Sequence, residues 1–130
     1  MVIEDYFFIN GTYELKDGVY NVKGHVSLIK RVEKLPCKFG KVIGNFYCYG
    51  NKLKSLEGAP KSIGGYFSCY TNNLETLEGA PKWVGGDFDC DDNHLNSLEY
   101  CPAFVGGDFF CDEELESTKE YRQYLIMKEL

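Results

Sequence analysis

No run of about 18 apolar residues occurs in this chain, so none of it reads as a membrane-spanning helix. Basic residues are few beside acidic ones: 14 Lys and Arg stand against 20 Asp and Glu, a formal net charge of −6. A general nucleic-acid binder carries a basic face, so direct nucleic-acid binding is not expected. The first residues do not read as a secretory leader, because Glu4 and Asp5 stand where positive charge would be wanted and no apolar run follows. Histidine is scarce: only His25 and His94 occur, and neither sits beside an evident nucleophile with a third orienting group. No Gly-x-Gly-x-x-Gly or P-loop pattern is present. With no motif for catalysis or cofactor binding, the chain reads as a non-enzyme that carries no cofactor.

Metal chemistry is weakly supported too. Asp87-x-Asp89-x-Asp91 is spaced like the start of a calcium loop, but its sixth position is Asp92 rather than Gly and its twelfth is Leu98 rather than Glu. Carboxylates on a regular strand splay instead of wrapping an ion. Glycoside hydrolysis needs paired carboxylates in a cleft with one raised-pKa acid, and the sequence signals neither.

What the chain does have is a core and an asymmetry. Its 130 residues suit one domain, and a hydrophobic fraction of 44% is enough to fill one. Residues 1–60 carry a charge balance of +3 and residues 61–130 a balance of −9. Such a split can mark a partner-facing surface, or simply a solvated end.

Most of the information lies in a repeat. Units beginning at Leu53, Leu74 and Leu95 read LKSLEGAPKSIGGYFSCYTNN, LETLEGAPKWVGGDFDCDDNH and LNSLEYCPAFVGGDFFCDEE. Val32 to Lys52 is a divergent copy, and Gly24 to Leu28 a degenerate one with a residue missing before Val32. Self-similarity at this period means stacked units. Four of the six cysteines, Cys48, Cys69, Cys90 and Cys111, recur at the same interval. Disulfides do not fit a chain without an export signal, and the interval is not a zinc spacing. Small buried hydrophobes in one column fit best.

Rotated, the unit is Phe-x-Cys-x-x-Asn-x-Leu-x-x-Leu, as in Phe67, Cys69, Asn72, Leu74 and Leu77. This resembles the leucine-rich-repeat signature, with Phe and Cys in two of the Leu slots. The Leu-x-Ser-Leu-Glu-Gly-Ala-Pro-Lys stretch is similar to the short bacterial subclass, and more so to the cysteine-containing repeats of small proteins in large bacteriophages. The resemblance covers about residues 24–115. It implies a right-handed solenoid with a parallel β-sheet on its concave face. It also implies a viral protein acting in the cytoplasm of an infected cell, and no particular activity.

Each slot has a physical reason. Alternation in Gly-x-Phe-x-Cys gives a short strand with Phe and Cys inward. Asn51, Asn72 and Asn93 fall at the following turn, where a side-chain amide can satisfy buried backbone. Gly64-Gly65, Gly85-Gly86 and Gly106-Gly107 are placed for positive φ or close backbone approach. Pro60, Pro81 and Pro102 suit an extended return segment. Residues 1–23 are expected to form a β-hairpin cap, with turn signals at Asn10-Gly11 and Asp17-Gly18. Residues 24–115 form the solenoid. Residues 116–130 form a C-terminal capping helix of about three turns, opened by the capping-box spacing of Ser117 and Glu120, with Tyr121, Tyr124, Leu125 and Lys128 at helical spacing and its aromatic stripe facing the core.

Strand alternation also defines an outward face. Coil by coil it bears His25, Ser27 and Ile29; Asn45, Tyr47 and Tyr49; Tyr66, Ser68 and Tyr70; Asp87, Asp89 and Asp91; Asp108, Phe110 and Asp112. Asp92 and Glu113 extend its acidic end. Tyrosine is enriched at interfaces, and a stack of carboxylates attracts Lys and Arg. Aspartate is a poor strand former, and its repetition carries a repulsive cost with no evident folding benefit. The candidate partner-binding residues are Tyr47, Tyr49, Tyr66, Tyr70, Asp87, Asp89, Asp91, Asp92, Asp108, Phe110 and Asp112. The expected partner is a protein with a basic surface, bound by a monomer. A phage-encoded inhibitor of a host protein is the specific version. A structural or minor virion component, and a peptide or carbohydrate binder, are the alternatives. Trp83 falls on the return segment, away from the candidate face, which weakens the carbohydrate reading.

Overall fold

The computed structural model describes residues 1–130. A 3-10 turn at Ile3–Asp5 leads into a hairpin of β1 (Phe7–Lys16) and β2 (Val19–Leu28). Asp17 and Gly18, with φ of 53° and 78°, close it, as a two-residue turn that matches strand twist requires. Asn10-Gly11, the other turn signal, does not turn: it lies inside β1. Gly11 faces Gly24 across the hairpin, and a Cβ on either would overlap the opposite strand's backbone. The glycine there serves close approach rather than reversal.

The coils are joined by two parallel ladders. The first runs through β4 (Phe46–Tyr47), β6 (Phe67–Ser68), β8 (Phe88–Asp89) and β10 (Phe109–Phe110). The second lies on the return side, through β3 (Lys38–Val42), β5 (Ser62–Ile63), β7 (Trp83–Val84) and β9 (Phe104–Val105). Strand β2 belongs to both: Val26 and Ser27 pair with β4, while Val19, Tyr20 and Val22 pair with β3. It crosses residues 23 and 24 unbroken, so the cap and the first coil share one strand. The return segment, extended as the prolines suggest, is thus also hydrogen-bonded. Both sides of a coil are spaced by strand pairing at about 4.8 Å, so the LRR-like coils stack with little wedge between them.

One core fills the stack. Phe46, Phe67 and Phe88 lie ring on ring, with centroids 5.7 Å apart at both steps. Leu53, Leu56, Leu74, Leu77 and Leu98 are fully buried beside them, with Ile63 and Val84 from the second ladder. At Phe109 the stack turns edge-on, and Tyr121 and Tyr124 of the helix α1 (Lys119–Lys128) pack against it. Thr118, not Ser117, caps α1 by accepting from the Tyr121 amide. Leu125, at helical spacing with the two tyrosines, is exposed; ten residues of helix cross only the edge of the last coil. No helix is long and apolar enough to cross a membrane.

The glycine pairs serve close approach. A Cβ on Gly64, Gly85 or Gly106 would overlap the carbonyl oxygen one coil back. Positive φ falls elsewhere, at Gly58 and Gly79 with φ of 91° and 93°, and Tyr100 takes the same slot at 70°.

Asn72 is the only buried polar residue. Its Oδ1 accepts from Leu53 N, and its Nδ2 donates to the carbonyls of Cys48 and Cys69, each at 3.0 Å. Asn93 repeats this with Leu74, Cys69 and Cys90. Asn51 donates to Tyr49 O, but its buried Oδ1 has no donor, because the coil before it is irregular. Replacing Asn72 with Ala orphans Leu53 N and Cys48 O, while Cys69 O keeps its bond from Asn93, and is expected to cost about 1–3 kcal/mol. Asn51→Ala breaks fewer bonds and should cost less. Equal shifts in denaturant midpoint for the two variants would show that the ladder is not what stabilises the turn.

All six cysteines are free thiols, and Cys48, Cys69, Cys90 and Cys111 form the buried column. Burial pushes Cys69 and Cys90 well above the ordinary thiol range, Cys48 likewise, and Cys111 to about 12; the half-buried Cys37 and Cys101 rise to about 11. Thiolate is the reactive form. The folded protein should therefore react slowly with an aromatic disulfide reagent at pH 8, Cys37 and Cys101 first, and all six should react rapidly in denaturant. A fast native phase at any column cysteine would contradict this.

Candidate functional site

The outward face of the first ladder carries three rows. Ladder register places Ser27, Tyr47, Ser68, Asp89 and Phe110 in the central one. His25, Asn45, Tyr66, Asp87 and Asp108 form the row before it. Tyr49, Tyr70, Asp91 and Asp112 form the row after it. Tyr49 and Tyr70 are stacked, with centroids 4.7 Å apart and planes 8° from parallel, and Tyr47 meets Tyr49 edge-on. Tyr49, Tyr66 and Phe110 are exposed, and Tyr47 and Tyr70 half-buried. The structure thus brings the candidate residues together on one face, aromatic in the first coils and acidic in the later ones.

The acids are not idle in folding. Asp87 Oδ1 accepts from Asp108 N at 2.9 Å, one coil on. Asp112 Oδ1 accepts from Asp92 N at 2.9 Å, and Asp89 Oδ1 from Asp91 N at 3.2 Å. Asp92 lies off the strand in the left-handed region, at φ 54°, and accepts from Thr71 Oγ1. Asp108 is ion-paired with Lys128 of α1, which also donates to Tyr124 Oη. The expectation that these aspartates bring no folding benefit is therefore corrected: strand amides that emerge at the coil edge need acceptors, and short acidic side chains reach them. Sequence reading sets Lys128 at helical spacing with Tyr121, Tyr124 and Leu125 but not beside Asp108, because nothing local places a helix residue 20 positions away above that strand.

Asp89 and Asp91 form the one electrostatically strained pair. Half-burial pushes the Asp89 carboxyl up to about 7, helped by the adjoining Asp91 carboxylate and by Asp87, against the hydrogen bond from Asp91 N. Asp91 Oδ1 is covered and has no donor. A proton on Asp89 would supply one. Both carboxylates also raise the Tyr70 phenol, behind its own desolvation and Tyr49.

Two other features lie off this face. Trp83 and Phe104 stack at 5.2 Å on the second ladder, both exposed. Beside Phe104 a groove of about 530 Å³ separates the last coil from α1, lined among others by Tyr124, Met127 and Lys119. His25 Nδ1 accepts from Asn45 N, a structural contact, and His94 is an exposed turn residue. Nowhere do three or more His, Cys, Asp or Glu side chains converge as a metal ion requires.

Comparison of the chain with protein-family models, with curated proteins and with solved structures gave no match.

The Asp89 carboxyl has a testable consequence. Its folded pKa, about 7, lies above its ordinary 3.8, so folding favours the protonated form. The stability it contributes is complete below about pH 4 and is lost as pH rises through 7. Asp89→Asn keeps an acceptor oxygen and mimics the neutral acid. The variant's denaturant midpoint relative to wild type should climb between pH 4 and 7 and level off near pH 8. A difference that does not vary with pH would show that Asp89 titrates normally.

Proposed function

We propose that the chain is a protein-binding module whose first-ladder face receives a basic segment of a partner protein. The observation that carries this reading is the continuous row Tyr49, Tyr70, Asp91 and Asp112, in which two stacked rings run directly into two carboxylates. Aromatic rings offer rigid packing area at small entropic cost, and the adjoining carboxylates attract Lys and Arg. Tyr47, Tyr66, Asp89 and Phe110 widen the same surface. Five strands at about 4.8 Å make it only about 20 Å tall, short of a standard interface, so a narrow element or a shared contact with the loops fits best. The similarity of the repeat to those of large bacteriophages supports a host-directed version, an inhibitor that occupies a basic surface on a cytoplasmic protein.

Affinity capture from the native host's lysate at low salt, with elution at raised salt, would isolate the partner. Two variants then divide the face. Replacing Asp87, Asp89, Asp91, Asp108 and Asp112 with Asn keeps the acceptor oxygens that the strands use and removes the charge. Association should slow by about tenfold at low salt with little change in dissociation, because exposed charge steers encounter. Replacing Tyr49 and Tyr70 with Ala should instead speed dissociation by about tenfold or more, as loss of packed anchors does. Wild-type rates in both variants would remove this face from the function.

A further inference from the structure

The two ends of the solenoid are finished differently. At the C-terminal end α1 lies across the last coil, where Tyr124 Oη donates to Gly107 O at 2.8 Å. At the other end the outermost strand is β1, which pairs only with β2. No backbone group of residues 7–16 bonds outside that hairpin. In an antiparallel pair alternate residues turn their N–H and C=O away from the partner, so β1 presents a free edge about 34 Å long. Every residue from Asn10 to Lys16 is exposed.

The exposed side chains there include some that point toward the core. Tyr13 and Leu15 lie opposite Val22 and Tyr20, on the hairpin's inner side, yet are 41% and 58% exposed. Met1 and Val2 are also exposed. Edges that must stay solitary are guarded by proline, lysine, bulges or shortness. Strand β1 has ten residues, no proline, and only Glu14 and Lys16 as charges.

We propose that this edge is covered by a second copy of the chain, with β1 antiparallel to β1 of its partner about a two-fold axis at Thr12. Opposed residues in antiparallel strands share a face, so the axis must fall on a residue. At Thr12, Phe8 faces Lys16, Ile9 faces Leu15, Asn10 faces Glu14, and Gly11 faces Tyr13. No like charges meet, an ammonium approaches an aromatic ring, and an apolar pair forms on the core side. Leu15 and Tyr13 of both copies then continue the core across the axis. Thr12 sits at the corner where the hairpin passes from the first ladder to the second. The first ladder of each copy therefore runs on into the second ladder of the other, and the two tyrosine–aspartate faces point to opposite sides of the dimer. The two-fold contact uses the β1 edge of both copies, so pairing stops at two copies and no filament grows. The proposal departs from the monomer expected from sequence alone, on the ground of this free edge.

Sedimentation equilibrium over a concentration series tests this. The wild-type mass should rise from 14.8 kDa toward twice that value and no further. On the axis Thr12 faces its own copy, so Thr12→Lys and Thr12→Asp each set like charge against like. Each variant should weaken the dimer by about tenfold or more, and an equimolar mixture of the two should restore it. Unchanged circular dichroism shows that the hairpin survives. The proposal is overturned by a wild type that stays monomeric to about 1 mM, by growth past two copies, by either variant dimerising like wild type, or by a mixture that remains monomeric. The test is independent of the partner-binding reading, since neither variant touches the tyrosine–aspartate face.

Discussion

The buried backbone of each coil is satisfied mainly by the next coil, at an offset of about 21 residues, and this offset governs the molecule. Phe67 N reaches Asp87 O, Gly85 N reaches Ile63 O, and Leu53 N reaches Asn72 Oδ1. A coil cannot change length without orphaning groups in its neighbours. The column of glycines follows from the same constraint, because carbonyls one coil away leave no room for a Cβ. So does the column of stacked phenylalanines, each filling the same slot at the same height. Where the interval fails, before Val32, an unpaired buried oxygen appears on Asn51.

Periodicity makes the columns legible. Phe, Cys, Asn and Leu positions, the inward side of the first ladder and the outward row of candidate residues all follow from alternation and the repeat interval. The second ladder was harder to see. After β3 its strands are two residues long, and Ser62-Ile63 or Trp83-Val84 carries no strand signal apart from the neighbouring coil. Strand β2 was obscured for the opposite reason: Gly24 looks like a break but lets one strand serve both ladders. The glycines at Asn10-Gly11 and Gly64-Gly65 show the limit of local reading, since the residue type tells that something unusual is required but not whether it is a turn or a close contact. The contact between Lys128 and Asp108 depends on how a helix lands on a coil, which no pattern in either segment encodes.

The acids on the first-ladder face bear on folding and, in the proposed function, on binding, and the repeat separates the two. Asn45 and Asp87 occupy the same slot two coils apart, and each accepts one amide from the coil that follows, Tyr66 N and Asp108 N respectively. An uncharged amide thus makes the same bond as a carboxylate, His25 Nδ1 makes it for Asn45 N, and Tyr66 fills the slot without one. Likewise Gly50, Thr71 and Asp92 share a left-handed slot, so charge is not what that backbone requires. In the central row Ser68 gives way to Asp89, whose half-buried carboxyl is pushed toward neutrality by its surroundings. Folding explains the oxygen atoms in these positions but not their charge. Negative charge has been collected in the later coils beside stacked tyrosines, at some expense to stability through Asp89 and Asp91. A cost that the fold does not need is what a surface shaped for a basic partner would carry.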